Sequence, residues 1–251
     1  MYTLHWQPPY DWAWMLGFLR ARAVSGVEVV SEGRYVRSLA LGEHRGLIAV
    51  EPDEQDHTLR VTLSEGLLPV AEECLLRVGR LFDLACDPTV INGVLGDLGA
   101  ARPGLRLPGS MDAFEQGIRA ILGQLVSVAM AAKFTGYVAN RYGEPLDGEP
   151  GFVCFPRPLG MPVKRGEAIV HFARATLDGR FPLTAPAEVE QGVKALQTFP
   201  GIGRWTANYL ALRGWQAKDV FLADDYLIKQ RFSGMTPAQI RQAGSRQLMA
   251  K

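Results

Sequence analysis

The chain has 251 residues, of which 47% are hydrophobic and 21% charged, and its 27 basic and 26 acidic side chains leave a net charge of +1. That is enough chain for one large domain or two to three small ones with a real core, and the composition excludes a disordered, fibrous or strongly basic protein. With so even a balance, any grip on nucleic acid must come from local clustering rather than from the field of the whole molecule.

Cys74, Cys86 and Cys154 lie far apart without a C-x-x-C pair. They cannot hold an iron–sulfur cluster on their own, and their odd number argues against a disulfide framework, so buried reduced thiols are expected. The four histidines, His5, His44, His57 and His171, show no metal-ligand spacing. The start MYTLHWQPPYDWAW has neither a basic leader nor an apolar run, and no stretch approaches the about 20 apolar residues of a membrane helix. A reduced, cytoplasmic protein is the expectation.

In chain order, DWAWMLGFLRARA (Asp11 to Ala23) carries Trp14, Phe18 and Ala21 at helical spacing. After Gly26 the pattern turns to strands: VEVVSEGRYVRSLAL with a turn at Glu32–Gly33, then LIAVEP, then HTLRVTLSEGL. Pro69 to Ala85 returns to helix with proline near its first turn. Ala101 to Ser110, with two prolines and two glycines, reads as a loop. Asp112 and Glu115 have the spacing of a capping box for AFEQGIRAIL, and GQLVS (Gly123 to Ser127) breaks that helix before VAMAAKFTGYVANRYG resumes. Val189, Val193 and Leu196 form one face of a helix in AEVEQGVKALQTF.

The fold class expected is α+β. Residues 1–88 form an antiparallel sheet with helices, followed by a mostly helical region, 89–251. Within that region 112–230 form a core built on a helix–hairpin–helix, and 89–111 with 231–251 form a second helical part.

The hairpin lies in LQTFPGIGRWTANY, Leu196 to Tyr209: one helix ends at Phe199 and another starts near Arg204. Its glycines allow positive φ and close approach, and the free amides at the start of the second helix suit a phosphate. A tight turn whose glycines only relieve strain fits the same residues. Trp205, Tyr209 and Leu212 share one helix face. In VFLADDYLIKQRF either Asp224 or Asp225 could be no more than a helix N-cap.

LQTFPGIGRWTANY followed about 20 residues later by FLADDYLIKQ resembles the signature of helix–hairpin–helix base-excision DNA glycosylases. MYTLHWQPPYDWAWMLGFLRARA, LGAARPGLRLPG and DAFEQGIRAILGQLVSVAMAAK extend the resemblance to the bacterial 3-methyladenine DNA glycosylase II family, from Met1 to about Arg241. The resemblance implies a monofunctional hydrolase that removes alkylated bases flipped out of duplex DNA, acting as a monomer without a required cofactor.

It places the catalytic carboxylate on Asp225, with Asp224 as a structural neighbour. A fixed carboxylate suits this chemistry because cleavage of an N-glycosidic bond builds positive charge on the sugar. It places the wedge that fills the vacated stack on Leu125, a position that would otherwise read as a core leucine. Trp205, Tyr209, Phe18 and Tyr226 become cleft aromatics, while Trp6, Trp12 and Trp14 are expected in the core. A cationic base over Trp205 would gain a contact of roughly 0.5–2 kcal/mol. Gly201, Gly203 and Thr206 are assigned to the phosphate, and the carbonyls of Gln197, Phe199 and Ile202 to a monovalent cation.

Members of the superfamily that also cut the strand carry a lysine where this chain has Trp205. The alternatives are such a glycosylase–lyase, and a non-catalytic hairpin that only binds DNA. Two departures stand out. At residues 158–159 FVCFPRP joins LGMPVKRGEA directly, where the family carries roughly another helix. After Arg241 the chain reads QAGSRQLMAK, where the family continues with Trp-rich helices that supply one more cleft aromatic.

Overall fold

The computed structural model describes residues 1–158 and 167–249, without the side chains of Leu98 and of residues 244–249. The expected junction after Pro158 therefore falls at residues outside those described. The architecture is α+β, as expected. A five-stranded sheet is built from β1 (Tyr2–His5), β2 (Glu28–Ser31), β3 (Arg34–Leu41), β4 (His44–Asp53) and β5 (Thr58–Leu63), with α1 (Trp12–Arg20) between its first two strands. Its order is β1-β5-β4-β3-β2, antiparallel throughout. Strand β1 escapes the sequence reading because its two prolines follow at once and mask four alternating residues; it closes the sheet edge against β5 with Tyr2 opposite Val61.

Alternation aims one sheet face inward. Tyr35, Ile48, Val50, Leu59, Val61 and Leu63 pack with Trp6, Trp12, Met15 and Phe82. Burying a large side chain of this kind contributes about 1.5–3 kcal/mol. Trp14 is only half-buried and lies tilted against Phe18 with ring centroids 5.5 Å apart. The single helix expected over Pro69–Ala85 is two elements, a 3₁₀ helix Glu65–Val70 and α2 (Ala71–Leu81). Pro69 lies inside the tighter turn, to which it can donate no amide.

Two short helices follow, α3 (Pro88–Leu95) and α4 (Asp97–Ala100), and then the loop to Ser110. The helical core begins with α5 (Ala113–Leu122) and α6 (Val128–Tyr142), succeeded by a two-stranded ribbon, β6 (Glu144–Pro145) with β7 (Val153–Cys154). Next come α7 (Glu167–Leu177), α8 (Val189–Leu196), α9 (Arg204–Gly214), α10 (Tyr226–Arg231) and α11 (Pro237–Met249). Phe114, Ile118, Phe172, Leu196, Leu210 and Trp215 centre the second cluster. All three cysteines are buried and unpaired.

Only half of the expected capping box forms. The Asp112 carboxylate accepts from the Glu115 amide at 2.8 Å, but the Glu115 side chain does not return to the cap. It belongs to a buried quartet between sheet and helices. Arg37 of β3 meets Glu115 at 2.7 Å and Glu28 at 3.8 Å, and Arg119 pairs with both carboxylates. Tyr35 donates its hydroxyl to Glu28 at 2.6 Å. Two charges of each sign cancel, and each carboxylate is engaged from two sides, as burial of ions requires.

Candidate active site

Helix α8 stops three residues before the expected Phe199. The chain continues through tight turns, with the amides of Gln197, Thr198 and Phe199 bonded to Lys194, Ala195 and Leu196 carbonyls. Those turns preserve helical periodicity, which is why the sequence reads as helix to Phe199. Gly201 has φ +79°, and a Cβ there would collide with Ala168. Gly203 differs: at φ −81°, with open space where a Cβ would stand, nothing inside the chain demands glycine. It is the N-cap of α9, and no side chain caps the amides that follow. Hence the start of α9 presents free N–H groups on an exposed turn.

Thr206 contributes only its backbone to that face. Its side chain is buried and its hydroxyl accepts from Gln124 Nε2 at 2.8 Å; the same amide group donates to Gly201 O at 2.7 Å. Gln124 thus fastens the break between α5 and α6 to the hairpin. Beside it, Leu125 is fully exposed at φ +58°. A bulky residue in the left-handed region is strained by roughly 1–3 kcal/mol, and such strain gathers at functional sites.

Asp225 is the N-cap of α10. Its Oδ1 accepts from the amides of Leu227 (2.9 Å) and Ile228 (3.4 Å), and its Oδ2 accepts from Trp205 Nε1 at 3.0 Å. The sequence alternatives, cap or site, are both satisfied by one residue. Asp224 lies 3.8 Å from Arg204 and outside the cleft wall. Trp205 and Tyr209 stack almost parallel, centroids 4.9 Å apart at 10°. Together with Asp225 and the exposed Tyr226 they line a cleft of about 410 Å³, a size suited to one small ligand.

Phe18 is not in that wall. Arg22, one turn on, lays its guanidinium 3.7 Å over the Phe18 ring and takes the lining position itself. The reason is electrostatic, since the ring face serves a cation without a carboxylate partner. Sequence reading also missed Gln124 and Arg213. Arg213 continues the Trp205–Tyr209 stripe at the next i+4 step, so extending that stripe one turn would have found it.

A larger groove of about 1490 Å³, between Val94, Val193, Asn208 and Phe221, contains neither Asp225 nor the stacked pair. Among the described residues no cluster of His, Cys, Asp or Glu could hold a metal ion. The carbonyls of Gln197, Phe199 and Ile202 are neutral hard oxygens, a donor set that fits a monovalent cation, and Phe199 O already accepts from the Ile202 amide at 3.1 Å.

Comparison with known proteins now decides the family. DNA-3-methyladenine glycosylase 2 of Escherichia coli (strain K12) is 66% identical over 259 residues, spanning 98% of this chain and 92% of the relative. The chain belongs to the DNA-3-methyladenine glycosylase 2 family. Residues 1–112 match the AlkA N-terminal domain. Within the family's fold, the 3-methyladenine DNA glycosylase of Archaeoglobus fulgidus superposes with a TM-score of 0.75 at 20% identity, covering 98% of this chain and 92% of that one. An 8-oxoguanine glycosylase/lyase of Clostridium acetobutylicum, in complex with DNA, gives 0.64 at 16%, covering 90% and 84%. One fold therefore hosts both chemistries, and the site must discriminate between them.

Proposed function

We propose that the chain is a monofunctional DNA glycosylase that hydrolyses the N-glycosidic bond of alkylated bases extruded from double-stranded DNA. The observation that carries this reading is the Asp225 carboxylate, held by three donors against the Trp205–Tyr209 stack. The extruded base enters the cleft beside the stack, with the sugar toward Asp225. As the bond to the base lengthens, positive charge grows on the sugar, and the fixed carboxylate stabilises it and orients or deprotonates the incoming water. Three bonds already made mean that little reorganisation is needed when the charge appears.

An alkylated cationic base leaves as a neutral molecule, so no strong acid is required. Trp205 cannot form an imine, which argues against the lyase reading. Leu125 fills the gap in the duplex, and the hairpin turn at Gly201 and Gly203 holds a phosphate through the free amides that follow Gly203. A monovalent cation at the carbonyls of Gln197, Phe199 and Ile202 would add positive charge beside that phosphate. The working division is an α+β unit, 1–88, followed by a helical region in which 112–230 carry the chemistry, and the chain works as a cytoplasmic monomer.

Asp225→Asn is the direct test. Asparagine caps helices as well as aspartate does, so folding should be retained while the charge is lost. Release of free base from methylated duplex DNA should fall by about 10²–10³-fold or more. Full release by a folded Asp225→Asn variant would refute the assignment. Binding without release by the unaltered chain would favour a non-catalytic hairpin.

A further inference from the structure

The chemistry above leaves the basic end of the cleft unused. Arg213 is 7% exposed and lines the cleft one turn beyond Tyr209. Its Nη1 donates to the Tyr209 hydroxyl at 3.0 Å and its Nη2 to Gly109 O at 2.9 Å, while its buried Nε has no acceptor. Among the described residues no carboxylate pairs with it. Hiding an unpaired guanidinium is costly, and the fold retains this one by laying it against rings, 4.8 Å from the Phe18 centroid and 5.8 Å from that of Tyr209. Arg22 brings a second unpaired cation to the same wall. The quartet next to them is self-neutralised, so these two guanidiniums share the cleft with the Asp225 carboxylate, and among the described residues neither forms an ion pair.

A guanidinium has donors only, so the Tyr209 oxygen accepts from Arg213 and its own proton remains uncommitted. Among the described residues none accepts it. Burial pushes the Tyr209 phenol up, but the Arg213 and Arg22 guanidiniums reverse that and hold it below the ordinary tyrosine value. A phenol polarised in this way is a stronger hydrogen-bond donor.

We propose that the Tyr209 hydroxyl, positioned and polarised by Arg213, donates the hydrogen bond that stabilises an uncharged base as it departs, and thereby sets how the site weighs uncharged against cationic lesions. This assignment rests on the glycosylase reading above. A cationic N-methylpurine takes the electron pair of the broken C1′–N bond and leaves neutral, so it needs no donor. An uncharged base takes the same pair and accumulates negative charge on its ring and exocyclic oxygen, while water forms the new bond at C1′ and passes its proton to the carboxylate or solvent. That negative charge is what Tyr209 and the two cations stabilise. Arg213 acts through Tyr209 and is a positioning residue.

The test uses the full chain, its Tyr209→Phe and Arg213→Met variants, and two duplexes, one carrying a single hypoxanthine and the other a single 7-methylguanine. Single-turnover release is measured for each, with thermal melts to verify folding. Tyr209→Phe keeps the ring and its stack on Trp205, so it reads the hydroxyl alone. The ratio of hypoxanthine to 7-methylguanine release should fall about 10- to 100-fold in both variants, the scale of one lost hydrogen bond to developing charge. Equal losses for the two bases in Tyr209→Phe would overturn the proposal, and this variant decides alone if Arg213→Met fails to fold. Release of 7-methylguanine but not hypoxanthine by the unaltered chain would overturn it while leaving the glycosylase reading standing. Release of neither base would overturn that reading and this assignment with it.

Discussion

At Asp225 one carboxylate both caps α10 through Oδ1 and lines the cleft with Oδ2 held by Trp205, so different replacements separate the two duties. Alanine removes both and should cost about 1 kcal/mol of stability in addition to the activity, whereas asparagine keeps the cap; chemical denaturation of the two variants measures the gap. Leu125 is the converse case, strained and fully exposed, and the proposed wedge role would give that strain a purpose outside the fold. Leu125→Gly relieves the positive φ and should raise stability by up to about 1 kcal/mol, while release from well-paired sites falls sharply. A loss of stability on that change would mean that the exposed leucine packs in the free protein. Neither residue could be resolved from local pattern alone. An aspartate before a helix and a leucine in a break have ordinary roles, and only the long resemblance tipped the reading.

The hairpin is the element in which sequence and structure agree most closely, because proline and glycine punctuate a chain regardless of tertiary context. Its two glycines nonetheless separate by mechanism. Gly201→Ala meets both positive φ and the Ala168 side chain, and should destabilise by about 1–3 kcal/mol. Gly203→Ala meets neither, so it should fold with a loss well under about 1 kcal/mol and yet bind duplex DNA more weakly, as a binding isotherm beside a melt would show. Equal affinity in Gly203→Ala would remove the phosphate from that turn. Elements without such punctuation were less legible. Strand β1 is four residues long, and the 3₁₀ helix before α2 differs from an α-helix start only in how its carbonyls are shared. The Glu115 side chain was misread because spacing shows a possible cap but not the arginines that compete for it. The resemblance that assigned Phe18 to the cleft could not show that Arg22 would lay its guanidinium over the ring.

Across the whole molecule, the α+β order and the hydrophobic faces were readable from periodicity, while the pairing of charges over about 80 residues of separation was not. That pairing sets the acid limit of the fold. Burial pushes the Glu115 carboxyl up, but Arg37 and Arg119 more than reverse it and hold the group at about 2, below its ordinary 4.5. A carboxyl depressed on folding contributes stability above its unfolded value, and the contribution is lost as the pH falls from about 4.5 toward 2. Glu115→Gln should therefore lower stability at neutral pH by several kcal/mol, on the order of 3–5, and flatten the pH dependence in that window, as melts between pH 2 and 7 would show. The net charge of +1 sets a second expectation at this scale. DNA affinity should fall with salt only modestly, since a few backbone amides rather than a basic surface meet the phosphates.

Gln124 ties the loop bearing Leu125 to the turn bearing Gly201 through one amide group. The proposed wedge and the proposed phosphate grip thus share an anchor. A wedge and a grip tied in this way would reach the duplex at a set spacing, and the deformation of an encounter would fall mainly on the DNA. Pairs that are already loose would then yield first, and discrimination would begin in the mechanics of the DNA before any base has reached the cleft.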